Sequence, residues 1–288
     1  MNDNNPKTWL ITGASYGLGR ALAEHVLDQG DRVVLAARTL PALTELADRH
    51  PDAALAVPLD VTDARQRRDA VAAAQERFGA IDVLVNNAAI DFIGAIEEQD
   101  EADYRATFEV NFFAAVELMR LVLPGMRERR SGTIVNVSSM DGIASLPANG
   151  YYSASKFALE GLTEALWQEV EPLGLRAFLV EAGSLRTGIQ DRTKTSGAAI
   201  ADYAATAGAF RDAVAQVTPD NFPGDPVRVA GAVYDVVASG ERRHWVILGS
   251  DAHRRIGVKL DLLRSEYEAG RDMARSIDFP DQVAAPVL

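Results

Sequence analysis

The sequence contains no cysteine in 288 residues. Disulfides, thiolate nucleophiles, iron–sulfur clusters and Cys-ligated zinc are thereby excluded. Basic residues are in the minority: 29 Lys plus Arg stand against 41 Asp plus Glu, a formal net charge of −12. Nucleic acid and anionic membrane both ask for a basic surface, so neither is expected as a partner. Histidine is scarce. His25, His50, His244 and His253 show no metal-ligand spacing with one another or with a carboxylate cluster, so no metal is expected. Apolar runs stay short of the roughly 18 residues of a membrane span. Met1 to Lys7 is polar, with no basic segment leading into an apolar one, so no signal peptide is expected and a cytoplasmic location is. What is present is ordinary for a soluble globular chain: 48% hydrophobic and 24% charged residues, with enough length for a sizeable core.

Seven short apolar runs punctuate the chain: Thr8–Ile11, Val33–Ala37, Ala54–Leu59, Ile81–Val85, Thr133–Val137, Ala177–Val180 and Trp245–Leu248. Continuous runs, rather than strict alternation, suit strands buried on both faces. Amphipathic stretches lie between them. Leu18 to Gln29 carries Leu18, Leu22, Val26 and Leu27 on one stripe, and Asp63–Phe78, Tyr104–Arg129 and Tyr152–Leu173 read the same way. Alternation of this kind predicts βαβ units: an α/β fold, a parallel sheet with helices on both faces. No linker divides the chain, so 1–288 reads as one domain. Residues 188–226 break the rhythm with repeated Gly and Pro and read as a lid. Ile256, Leu260, Leu263 and Tyr267 fall at helical spacing and predict a C-terminal helical extension over 250–276, packed on the body.

The first run leads into Thr12-Gly13-Ala14-Ser15-Tyr16-Gly17-Leu18-Gly19. Glycine is needed where backbone turns tightly and approaches a pyrophosphate, and the following helix offers its N-terminal amides to the anion. A plain strand–helix turn with packing glycines is the alternative. About 20 residues further on, a dinucleotide site reads the adenosine ribose, with a carboxylate for a free 2′-hydroxyl or an arginine for a 2′-phosphate. Ala36-Ala37-Arg38 holds a guanidinium and no carboxylate there. NADP(H) is therefore expected over NAD(H), unless Arg38 is simply exposed at a strand end.

Tyr152-Ser153-Ala154-Ser155-Lys156 places a phenol and an ammonium one helical turn apart. Tyrosine is a poor base at neutral pH, and a nearby Lys⁺ lowers its pKa. Such a phenol can protonate a carbonyl oxygen or deprotonate an alcohol. Ser139, thirteen residues earlier, follows the fifth run and could hold the same oxygen. Tyr151 is the competing phenol, but it pairs in register with Ser155. Tyr-x-x-x-Lys by itself also occurs as an ordinary surface pair.

Taken together the motifs resemble those of the short-chain dehydrogenases/reductases. They run in order from Thr8 to Thr187: the glycine turn, Asp60-Val61, Asn86-Asn87-Ala88-Ala89, Val110-Asn111-Phe112, Ser138-Ser139, Tyr152…Lys156 and Gly183…Thr187. The resemblance implies a Rossmann-like, doubly wound, seven-stranded parallel sheet. It implies Tyr152 as general acid/base. Lys156 would tune that phenol and bind the nicotinamide ribose, Ser139 would orient the substrate oxygen, and Asn111 would hold a water leading to solvent. It implies Gly13, Ser15, Tyr16, Gly17, Leu18 and Gly19 as the pyrophosphate turn, with Arg38 at the 2′-phosphate. Asp60 and Val61 would meet the adenine, Asn87 and Ala88 the ribose, and Leu185 and Thr187 the carboxamide. Two positions depart from the family pattern. Ala89 replaces a glycine, and Ala182 replaces a proline, which frees φ at that turn.

The function implied is hydride transfer between a nicotinamide and a carbonyl or secondary alcohol. The alternatives are a cofactor-using epimerase, dehydratase or cyclase, or a non-catalytic NADP(H) sensor. Phe92, Ile93, Met140, Ile143, Leu146, Ile189, Tyr203, Phe210 and Phe222 suggest an apolar small-molecule substrate and a pocket with few fixed charges. The acidic run Glu97–Glu101 reads as compensation for a helix dipole, with substrate binding as the other reading. In the resembling family the two long helices also pair between subunits, so a homodimer or homotetramer is expected.

Overall fold

A computed structural model describes residues 5–188 and 193–279. Strand β1 (Thr8–Thr12) is followed by α1 (Gly17–Asp28), β2 (Arg32–Ala37), α2 (Leu40–Arg49), β3 (Ala54–Pro58), α3 (Ala64–Phe78) and β4 (Val83–Asn86). A short β5 (Phe92–Ile93) precedes α4 (Glu101–Phe108), α5 (Ala114–Arg129), β6 (Thr133–Val137), α6 (Gly150–Val170) and β7 (Arg176–Ala182). Then come β8 (Lys194–Thr195), α7 (Ala209–Ala215), α8 (Pro226–Ser239), β9 (Trp245–Leu248), α9 (Ser250–Ala269) and α10 (Arg271–Ser276). Seven strands form one sheet in the order β3-β2-β1-β4-β6-β7-β9, every neighbouring pair parallel.

The continuous apolar runs follow from this sheet. Successive side chains point to opposite faces, and both faces are covered. Trp9, Ile11, Val33 and Leu35 enter one core with α1 and α8. Their neighbours Leu10, Val34 and Leu84 enter the other, with α3, α5 and α6. Asp63 caps α3 by accepting from Arg65 N and Gln66 N.

Three elements differ from the sequence reading. Tyr104–Arg129 is not one regular helix: a π-turn over Glu109–Phe113, holding the buried Asn111, separates α4 from α5. An extra residue in one turn leaves the apolar periodicity almost unbroken, so it is silent in the sequence. Helix α2 was not anticipated. It buries only Leu43 and Leu46. The apolar stripe of α9 does not pack on the body beyond its first turns. Ala252 and Ile256 are buried, while Leu260, Leu263 and Tyr267 are exposed.

The chain after β7 pairs back onto the body. Strand β8 runs parallel to β5, Phe92 opposite Lys194. Ile189 and the rest of 189–192 lie outside the described residues. The acidic run divides: Glu101 stands in the first turn of α4, where it favours the helix dipole, and Glu97 and Glu98 belong to this attachment. Glu98, fully buried at its side chain, accepts from Ala95 N and Ile200 N and pairs with Arg211 of α7 at 3.0 Å. Glu97 accepts from the Tyr203 hydroxyl at 2.8 Å.

Strand order reverses between β1 and β4, which opens a crevice beyond their carboxyl ends. Gly13 turns the chain there with φ +68°. Where α1 crosses the turn, a Cβ on Gly19 would overlap the Gly13 carbonyl oxygen and stand 2.5 Å from Asn87 Nδ2. Gly19→Ala is expected to cost about 1–3 kcal/mol through overpacking. The midpoint of a thermal melt should fall by several degrees, and an unchanged melt would mean that the turn yields freely.

Candidate active site

The crevice is a cleft of about 290 Å³ lined by Gly13, Ser15, Tyr16, Arg38, Asp60, Val61, Ala88, Ala89 and Ile90, among others. Of the predicted cofactor residues, Gly17, Leu18, Gly19 and Asn87 shape this cleft from behind. The Asn87 amide is spent on Thr12 O at 2.8 Å and Gly13 O at 3.3 Å, and its N–H donates to Thr12 Oγ1. It therefore staples the end of β4 to the glycine turn, and Ala88 is the residue that faces the cleft. Asp60 Oδ1 accepts from the N–H and hydroxyl of Thr62. Arg38 is exposed at the rim and forms no ion pair among the described residues. The first turn of α1 holds no acidic residue, so its dipole is open to an anion. These features fit a dinucleotide pyrophosphate.

Leu185 is buried in a bridge to Gly224, and Thr187 packs over Gly17. The turn that follows Ala182 is tied by long-range hydrogen bonds. Gly183 N donates to Leu248 O and Ser184 N to Asp251 Oδ2, both at 2.8 Å, so β9 and α9 hold the turn.

Ser139, Tyr152 and Lys156 are brought together where β6 ends against α6. The Ser139 hydroxyl faces the phenol of Tyr152 and favours its ionised form. Lys156 Nζ lies 5.7 Å from the Tyr152 ring centre and donates to Val137 O at 2.8 Å. Tyr151 turns elsewhere, stacking on Tyr104 at 4.5 Å. It does not pair with Ser155, whose hydroxyl donates to Tyr152 O and accepts from Asn111 Nδ2. Asn111 also accepts from Ile90 N and donates to Ile90 O. Its side chain thus acts as the core amide that joins the π-turn to α6 and to the strand end before β5.

The surroundings of the phenol as a whole raise it rather than acidify it. Burial pushes the Tyr152 hydroxyl above its ordinary range, and the carboxylates of Asp141 and Asp91 push it the same way. Ser139 and Arg255 act in the opposite sense. Lys156 is itself lowered to about 8 by burial, against the pull of Glu160, Asp91 and Asp141. Burial, with Asp141 nearby, raises Asp91 to about 7. Glu160 rises to about 7 and Glu181 to about 8, both chiefly through burial. The surroundings of Tyr152 and Lys156 therefore hold more ionisable groups than the apolar residues suggested. Asp91 and Asp141 read in the sequence as ordinary loop carboxylates. Arg255 comes from 114 residues further along the chain, and no local signal marks it. No group of His, Asp and Glu among the described residues could hold a metal, and no helix among them is long and apolar enough to cross a membrane.

The fold defines a doubly wound α/β protein of the dinucleotide-binding class. Its sequence matches the short chain dehydrogenase family over residues 7–198, and the chain belongs to that family of oxidoreductases. It is 34% identical to oxidoreductase BOA17 of Botryotinia fuckeliana over 269 residues, 93% of this chain and 98% of that protein. The crystal structure of a short-chain dehydrogenase from Streptomyces avermitilis aligns with a TM-score of 0.88 at 39% identity, covering 96% of this chain and all of that one. A short-chain dehydrogenase/reductase from Burkholderia phymatum, solved in complex with NAD, aligns with a TM-score of 0.76 at 28% identity over 99% of this chain and 100% of that one. These likenesses support a nicotinamide cofactor.

Proposed function

We propose that the protein is an NADP(H)-dependent oxidoreductase that interconverts a carbonyl group and a secondary alcohol, with Tyr152 as general acid/base. The observation that carries this reading is the meeting of Ser139, Tyr152 and Lys156 at the end of β6. A bound nicotinamide supplies or accepts the hydride at its ring carbon. The glycine turn and the N-terminus of α1 would hold the pyrophosphate. Arg38 would pair with the 2′-phosphate, a role its exposed guanidinium, without an ion pair among the described residues, suits. Asp60, Val61 and Ala88 would enclose the adenosine, and Leu185 and Thr187 would meet the carboxamide side.

Ser139 would hold the substrate oxygen as Tyr152 donates its proton to it. A phenol held above its ordinary range is protonated throughout the neutral range, which suits carbonyl reduction. Lys156, charged below about pH 8, steadies the phenolate left behind. In this reading 1–288 is one domain, 188–226 closes over a mainly apolar carbonyl substrate, and the chain forms a homodimer or homotetramer. Phe113 beside α5 and Phe157 on α6 are 47% and 43% exposed, which supports pairing through that face.

Tyr152→Phe should lower kcat by about 10²–10⁴-fold while cofactor binding persists. Wild-type reduction of a ketone panel should decline as pH rises through about 8, where Lys156 loses its proton. Turnover undiminished in the Phe variant would remove Tyr152 from the reaction. For the cofactor, kcat/KM should favour NADPH over NADH by about 10–100-fold, the worth of a charge-assisted hydrogen bond. Arg38→Asp should reverse that order, and equal use of both cofactors by the wild type would defeat the assignment. Light scattering should find two or four chains per particle at micromolar concentration, and a monomer would contradict the pairing.

A further inference from the structure

Two side chains one turn apart on α9 each reach a loop of the candidate site. Asp251 holds Ser184 N in the turn after β7. Arg255 pairs with the carboxylate of Asp141 in the loop after β6, and its Nη2 donates at 2.5 Å to Ala144 O. Asp141 is 8% exposed. Its second oxygen accepts from Asn149 Nδ2 at 3.0 Å, and its N–H donates to Ser139 Oγ at 3.1 Å. One guanidinium thus ties a carboxylate and a carbonyl of a single loop, and that loop carries the hydroxyl that meets Tyr152. Both acceptors are taken by the one nitrogen, Nη2, whose two N–H bonds diverge in the fixed plane of the guanidinium, whereas the N–H bonds of an ammonium rotate freely.

The remainder of α9 does not account for this placement by burial. Beyond Ile256 its large apolar residues Val258, Leu260, Leu262, Leu263 and Tyr267 are exposed. The anchored part of the helix is the part that carries Asp251, Ala252, Arg255 and Ile256.

We propose that Arg255 is a positioning residue for the reaction, through which the C-terminal helix completes the active site. It fixes the loop bearing Ser139 and offsets the Asp141 charge beside the phenol. The proposal rests on the reading of Tyr152 as acid/base. The groups that face this phenol are Ser139 and Asp141 from the loop after β6, Asp91 from the segment before β5, Lys156 from its own helix and Arg255 from α9. Both carboxylates oppose ionisation of the phenol, and Arg255 is the α9 group that opposes them.

The test uses the full chain, with alcohol oxidation followed across pH. Arg255→Ala should lower kcat by about 10²-fold, the scale of a small misplacement of a reacting group, with the cofactor Kd unchanged. Its rising pH limb should move to higher pH, because the Asp141 charge is no longer offset. Adding Asp141→Asn to Arg255→Ala should bring the limb back toward wild type. Arg255→Lys keeps the charge and loses the fixed directions of the guanidinium N–H bonds, so kcat should fall with the limb unmoved. This variant also carries the test where the alanine variant does not fold. Wild-type kcat and limb in Arg255→Ala, wild-type kcat in Arg255→Lys, or a double variant with the limb of the single one would each overturn the proposal. Tyr152→Phe is assayed alongside. Full turnover there defeats the reading of Tyr152, whatever the Arg255 variants do.

Discussion

Lys156 lies 2% exposed at the end of β6, its ammonium donating to the carbonyl of Val137. A cation out of water is costly unless it is hydrogen-bonded and faces opposite charge. The surroundings of this one meet both conditions. Glu160 lies one turn further along the same helix, Asp91 comes from the strand end before β5, and Asp141 from the loop after β6. The same burial raises each of these carboxylates, so the site holds more potential negative charge than it expresses near neutral pH. Tyr152 sits within this balance. Its phenol stays protonated because carboxylates and desolvation outweigh the cations. Much of the surrounding architecture serves to keep these groups close together and dry.

The sheet supplies the dryness. With both faces covered, a strand has no solvated side on which to carry chemistry, and polar function is pushed to the strand ends. That constraint is also why the sheet is legible in the sequence. Thr133–Val137 reads as a strand with the bounds it has, because consecutive side chains feed opposite cores and every one must be apolar or satisfied. Asn136 is the instructive exception. Fully buried in β6, it accepts from Asn86 and donates to Thr163, so a polar residue inside an apolar run is held by a cross-strand partner and a helix.

Where periodicity carried no information, the reading failed. The π-turn at Glu109–Phe113 re-aims Asn111 without disturbing the amphipathic pattern on either side. The stripe of α9 has helical spacing, but spacing cannot say whether a face meets a body or water, and here it meets water. The site divides along the same line. Tyr152 and Lys156 are legible because one helical turn sets their relation, and the glycine turn because a close approach forbids a Cβ. Glu98, spent on the nearby amide of Ala95, the distant amide of Ile200 and Arg211, looks in sequence like one more acidic residue before a helix. Its function comes from segments about a hundred residues away, and no local rule reaches that far.

The departures from the family pattern show how long-range contacts stand in for local ones. A proline at position 182 would fix φ by covalent geometry. Ala182 leaves φ to the backbone, yet Asp251 of α9 and Leu248 of β9 hold the next two amides. Gly183 belongs to this arrangement, since a Cβ there would overlap the Asp251 carboxylate. The rigidity that one residue provides in the usual pattern is here distributed over the C-terminal strand and helix. A helix that buries so little of its own surface is kept in register by these polar contacts with the site, and the site in turn gains two fixed loops. Each side of that exchange explains the other: α9 docks because the loops offer it partners, and the loops tolerate an alanine at 182 because α9 is docked.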